Sequence, residues 1–98
     1  MSRKVVFRKV AQTEVDEAIE WFEAQQIGLG ERFLEAVLAS IEAIEQNPLQ
    51  YQRVYSDRRR AVVARFHFNL MYFVSEDEVV IVACLHGRRD PRRWKGRV

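Results

Sequence analysis

The chain closes on LHGRRDPRRWKGRV, in which His86 precedes six basic residues among the last eleven. Arginines beside a histidine suit the binding or the cleavage of a phosphodiester. Cleaving RNA through its own 2′-hydroxyl needs a base for that hydroxyl, an acid for the leaving oxygen and positive charge for the phosphate. Arginine supplies only the charge, because its pKa lies above ~12. His86 and His67 are the two side chains whose ordinary pKa allows proton exchange near neutrality, so a nuclease reading rests on His86, His67 and Arg88. The commoner role of each histidine is that of a strand residue satisfied by a neighbour. A second basic group, Arg58, Arg59, Arg60 and Arg65, can hold a phosphate or an acidic partner, or can protect an edge strand from aggregation by its charge. The sequence has no Gly-rich phosphate loop, no Gly-x-Ser-x-Gly elbow and no metal-ligand spacing, so neither metal nor cofactor is expected.

These groups need a scaffold, and 98 residues with 48% apolar content suffice for one small domain without staples, expected over 1–98 with a basic tail at 87–98. The single cysteine, Cys84, excludes an internal disulfide and fits a reducing cytosol. No apolar run approaches the ~20 residues that span a bilayer, so neither membrane insertion nor export is expected. The net charge of +2 hides a division: residues 1–52 carry five Lys/Arg against nine Asp/Glu, and residues 53–98 carry eleven against five. Thirteen of the sixteen basic residues are arginine, which favours bidentate contact with carboxylates or phosphates.

Periodicity predicts the elements. "RKVVFRK" reads as an edge strand at Lys4–Lys9. Thr13 with Asp16 three positions on resembles a capping box for a helix at about 14–26, whose apolar face is Ala11, Val15, Ala18, Ile19 and Phe22. Gly28 stops it. A second helix at 30–46 presents Phe33, Leu34, Val37, Leu38, Ile41 and Ile44, and Asn47-Pro48 ends it. So short a link makes the pair an antiparallel hairpin. After an irregular connection at 47–58, three strands are expected at 59–64, 67–74 and 79–86, the last two joined by the turn Ser75–Glu78. The fold class is therefore α+β, in β-α-α-β-β-β order: a helical hairpin packed on one face of a small twisted antiparallel sheet.

If Val74 lies opposite Val79, the helix face of the hairpin carries Phe68, Leu70, Tyr72, Val74, Val79, Ile81, Ala83 and Leu85. The same register sets His67 opposite His86 on the other face, with Asn69, Met71, Phe73, Val80, Val82 and Cys84. That outer face is too apolar for a solvated surface, so a cover over part of it is expected.

The element order, the segments GLGERFLEAVLASIEAIEQNPLQYQRVY and RRAVVARFHFNLMYFV, and the closing VVIVACLHGRRDPRRW together resemble the RelE/ParE superfamily of type II toxin–antitoxin toxins over nearly the whole chain. The most specific pieces are Gln46-Asn47-Pro48 and the run from His86 to Trp94. The resemblance implies a small cytoplasmic toxin neutralised by a cognate antitoxin that wraps it with a helix and an extended segment. RelE-like members cleave mRNA on the ribosome, whereas ParE-like members inhibit DNA gyrase without a known reaction of their own. RelE-like toxins typically place a tyrosine or histidine near the C-terminus, and here no tyrosine follows Tyr72, which favours the gyrase-directed branch. The alternatives are a ribosome-dependent nuclease using His86, and a binding domain of the same fold without toxicity. The expected target contacts are Arg88, Arg89, Asp90, Arg92, Arg93 and Trp94, with Asp90 orienting an arginine and Trp94 anchoring the tail. The expected antitoxin contacts are Arg59, Arg60, Arg65, Met71, Phe73, Val80 and Val82.

Overall fold

The computed structural model describes residues 3–98. Its elements are β1 (Lys4–Phe7), α1 (Lys9–Gln25), α2 (Leu29–Gln46), β2 (Arg53–Tyr55), β3 (Arg58–Val63), β4 (Phe68–Val74), β5 (Glu78–His86) and a short 3-10 turn at Pro91–Arg93. The strands form one sheet in the order β1-β5-β4-β3-β2. Buried residues of both helices share one core with Ala61, Val63, Leu70, Tyr72, Val79 and Ile81, so the helical hairpin lies on one face, as the apolar stripes require. No helix among the described residues is long and apolar enough to cross a membrane.

Three details differ from the sequence reading. The sheet is mixed, because β1 runs parallel to β5 while every other pair is antiparallel. The connection at 47–58 contains a fifth strand, β2, of only three residues. Helix α1 begins at Lys9, directly after an extended Arg8, so Thr13 lies inside the helix and caps nothing. Buried Ala11, already part of the expected apolar stripe, marks this earlier start.

The helical hairpin is tied at its turn. Gly28 takes a left-handed backbone (φ 91°), and the Glu23 carboxylate of α1 accepts the Gly28 amide at 2.9 Å and the Gly30 amide at 3.0 Å. A side chain from one helix thus satisfies the free N–H groups that open the next. A β-carbon on Gly30 would lie 2.7 Å from the Ile19 carbonyl oxygen, so α1 and α2 approach too closely there for any other residue. Gly30→Ala is expected to destabilise the fold by about 1–3 kcal/mol in urea unfolding. Beneath the turn, Phe22, Phe33, Phe66 and Phe68 pack with ring centroids 5.0 to 5.7 Å apart.

The β4–β5 hairpin starts in the expected register, with Val74 opposite Val79 and Tyr72 opposite Ile81, and then bulges so that Met71 opposes Ala83. The extra residue reverses the alternation along the rest of β5. Cys84 therefore faces the helices, Ala83 and Leu85 face outward, and His86 opposes Phe68. His67 is outside the strand altogether: its left-handed backbone (φ 58°) ends the pairing and places it, exposed, in the β3–β4 turn. The expected His67–His86 pair is therefore not formed.

Burial pushes the Tyr72 hydroxyl up from 10.0 to about 12, with Arg59 opposing, and the Cys84 thiol up from 9.0 to about 12, aided by Glu14. Both groups hold their protons more tightly folded than unfolded. Their contribution to stability is thus complete below about pH 9 and is lost as the pH rises toward about 12. The urea midpoint should fall across this range, and Cys84→Ala should move the onset up to about pH 10, where Tyr72 takes over.

Candidate functional site

Strand β1 pairs with β5 only as far as Ile81, and the chain then turns into α1. Strand β5 continues to His86, so its last residues have no neighbouring strand on that side. A cleft of about 630 Å³ opens there between α1 and the end of β5. Glu14, Glu17 and Trp21 of α1 form one wall, Phe66 and Phe68 contribute apolar surface, and Arg88, Arg89 and Arg93 line it from the segment after β5. Carboxylates thus stand on the helix side and guanidinium groups on the other.

His86 also lines this cleft, half-buried, with its ring edge-on to Phe68 at 5.5 Å. Its Nδ1 accepts the Arg88 amide at 3.1 Å, which leaves Nε2 as the ring nitrogen that can donate a hydrogen bond. His67 is not among the lining residues; its carbonyl accepts the Gly87 amide at 2.8 Å.

The expected target contacts divide three ways. Arg88, Arg89 and Arg93 are brought together on the cleft. Arg92 is turned aside by Asp90, whose carboxylate accepts from Arg92 Nε at 3.0 Å and Nη2 at 2.7 Å and from the Arg92 amide at 2.9 Å. These bonds hold the Asp90 carboxyl below the ordinary carboxylate range and raise Arg92. Asp90 therefore caps the 3-10 turn as well as orienting an arginine. Trp94 is 5% exposed and packs with the outer sheet face, so it anchors the tail and presents little surface to a target.

The cover over the outer face is the chain's own C-terminal strap. Trp94 joins Met71, Val80, Val82, Ala83 and Leu85 in a second apolar cluster, and Tyr55 meets its ring edge at 6.1 Å. The Arg58 guanidinium lies 4.4 Å over the Phe73 ring, pairs with Asp57 and donates to the Arg97 carbonyl at 2.6 Å. The Arg97 guanidinium reaches α1, giving Nη1 to Glu14 Oε1 at 2.8 Å and Nη2 to Glu14 Oε2 at 3.0 Å, with a third bond to the Val82 carbonyl at 3.0 Å. Arg8 holds the Val98 carbonyl at 2.9 Å.

Most of the expected antitoxin contacts are buried or engaged within this chain. Met71, Val80 and Val82 are 6%, 2% and 0% exposed, and Phe73 is half-buried beneath Arg58. Arg59 is committed to the Leu49 and Tyr51 carbonyls, at 3.2 and 2.6 Å, and pins the loop after α2. Only Arg60 and Arg65 of that set are exposed. Glu14, Phe66 and Arg97 carry no signal of a site in the sequence, and Trp21 reads there as a widening of the apolar face of α1. Trp21 carried a signal, since it sits beside the apolar stripe of α1 and remains 59% exposed.

The description "ParE toxin of type II toxin-antitoxin system, parDE" matches residues 5–91. No curated protein matches the chain. The fold is similar to that of a chain in the chromosomal ParDE toxin–antitoxin system from P. aeruginosa (TM-score 0.74, 13% identity, 87% of this chain and 96% of that chain). It is also similar to a chain of the RelBE2 toxin–antitoxin complex from Mycobacterium tuberculosis (TM-score 0.62, 20% identity, 88% and 99%) and of the YoeB dimer from Staphylococcus aureus (TM-score 0.59, 14% identity, 88% and 98%). At these identities the structures speak for the fold alone. The match over residues 5–91 speaks for the family: the chain belongs to the ParE toxins of type II toxin–antitoxin systems.

Proposed function

We propose that this ParE-family chain acts by binding DNA gyrase through the arginine-lined cleft, and that a cognate antitoxin neutralises it. The observation that carries this reading is the incomplete acid–base equipment of the cleft. His86 stands there without His67, and Glu14 is already engaged by Arg97 and by the Cys84 amide at 3.0 Å. What the cleft offers in quantity is recognition: three arginines for carboxylates or phosphates, and the aromatic surfaces of Trp21, Phe66 and Phe68. Binding of this kind needs no proton transfer.

One observation favours ribosome-dependent mRNA cleavage instead. His86 lines the same cleft as Glu17 and Arg88, which brings together an imidazole, a carboxylate and a guanidinium, the group types that acid–base cleavage of a phosphodiester draws on. The test is to add the purified chain to a gyrase supercoiling assay and to a translating-ribosome assay read by mRNA cleavage. Loss of supercoiling with intact mRNA is the expected result. Cut mRNA with unaffected supercoiling overturns it, and inactivity in both assays points to a binding domain without toxicity.

The antitoxin follows from the family and from the charge. The family pairs toxin with antitoxin, as in the ParDE and RelBE2 complexes, and the net positive half of this chain attracts an acidic segment. Exposed charges at an interface act mainly on encounter. Raising the salt from 50 to 500 mM should therefore slow association with the antitoxin by about 10-fold or more while changing dissociation far less, as stopped-flow mixing would show.

A further inference from the structure

We infer that Arg97, clasped by Glu14, is a positioning residue that sets the arginines of the cleft in place. This inference rests on the reading of that cleft as the contact surface. Arg88, Arg89 and Arg93 are exposed residues whose placement comes from the backbone between Gly87 and Trp94. That backbone is fixed at its start by the Gly87 amide on the His67 carbonyl at 2.8 Å and the Arg89 amide on the His86 carbonyl at 3.0 Å. At its far end it is fixed by Trp94 and then by Arg97, whose guanidinium makes its three bonds to Glu14 and to the Val82 carbonyl.

The clasp closes where β5 has lost its neighbour. Val82 is the extra residue of the bulge and Cys84 lies two positions on, both past the last pairing with β1; the Val82 carbonyl accepts from Arg97 and the Cys84 amide donates to Glu14 in place of a strand. The two side chains are 19% and 9% exposed, so the pair is shielded from solvent on most sides. A shielded ion pair contributes little net stability compared with apolar residues, and geometry is its better-attested use. Here the geometry has an identifiable beneficiary. Glu14 is itself part of the cleft wall, so the bond joins the helix side directly to the segment that carries the opposing arginines.

The test compares three full-length chains by amide hydrogen exchange. The double variant Glu14→Gln/Arg97→Met removes the ion pair, strands no charge and keeps an acceptor for the Cys84 amide. Arg97→Lys keeps the charge but loses the planar fork that spans both carboxylate oxygens. In the double variant the amides of Arg89, Arg93 and Trp94 should exchange about 10-fold or more faster than in the parent, with those of Leu70 and Ile81 within about 2-fold, and Arg97→Lys should fall between. Unchanged exchange at the three segment amides overturns the inference. So does equal acceleration throughout the sheet that Arg97→Lys does nothing to relieve, which is the signature of a merely structural pair. The inhibitory concentration toward gyrase should rise by about 10-fold in the double variant and less in Arg97→Lys, and a folded double variant as potent as the parent would also count against positioning. A parent inert toward gyrase removes the gyrase reading and leaves the exchange measurement to decide the clasp.

Discussion

Trp94→Ala is expected to lower the free energy of unfolding by about 3–5 kcal/mol, measured by urea denaturation at neutral pH, the range found when large aromatic side chains are removed from well-packed sites. The indole is 5% exposed, and truncating it uncovers Met71, Val80, Val82 and Leu85 together. Two further contacts fail with it: the edge contact to Tyr55, and the seat of the strap that brings Arg97 to Glu14. Trp21→Ala supplies the control. That indole is 59% exposed, so its loss should cost less than about 1 kcal/mol while thinning one wall of the cleft. If the two tryptophans proved equally dispensable, the strap would not be what holds the outer face covered.

Much of this arrangement is legible in the sequence, and the exceptions have physical causes. The stripes of Ala11, Val15 and Ala18 and of Phe33, Val37 and Ile44 repeat at helical spacing, so both helices and their common face can be read directly. The bulge cannot. From Val79 to Leu85 every residue is apolar, and a strand buried on both faces has no alternation to reveal where its phase changes. The errors at Ala83, Cys84, Leu85 and His86 all come from that one residue. The parallel partnership of β1 is hidden for a related reason: Lys4–Phe7 shows a strand, but nothing in four residues names its neighbour.

The clasp illustrates a different limit. Glu14 reads as an ordinary acid near a helix start, and Arg97 as one arginine among thirteen. Only their meeting across 83 positions of sequence gives either a role. The apolar outer face was nevertheless a sound signal that something covers it. The cover is Trp94 and the strap, while Arg88, Arg89 and Arg93 line the cleft beside α1.

If the chain binds gyrase through the cleft, as proposed, the double reversal Arg88→Glu/Arg89→Glu should raise the concentration needed to inhibit gyrase by about 100-fold or more, because each change converts an attraction at that contact into a repulsion. Neither side chain belongs to an apolar cluster, and neither forms an ion pair within the described residues, so the thermal midpoint should hardly move. His86→Gln is the companion measurement. Glutamine can still accept the Arg88 amide and donate a hydrogen bond into the cleft, but it cannot exchange a proton near neutrality. A gyrase-binding toxin should therefore keep its potency within about 3-fold after this change, whereas a nuclease should lose about 100-fold or more of its cleavage rate. The informative result is the pattern across both variants. Charge reversal abolishing inhibition while His86→Gln spares it is what a recognition surface requires. The opposite pattern, with mRNA cleavage destroyed by His86→Gln, would transfer the same arginines to a phosphate and make His86 the residue on which the activity turns.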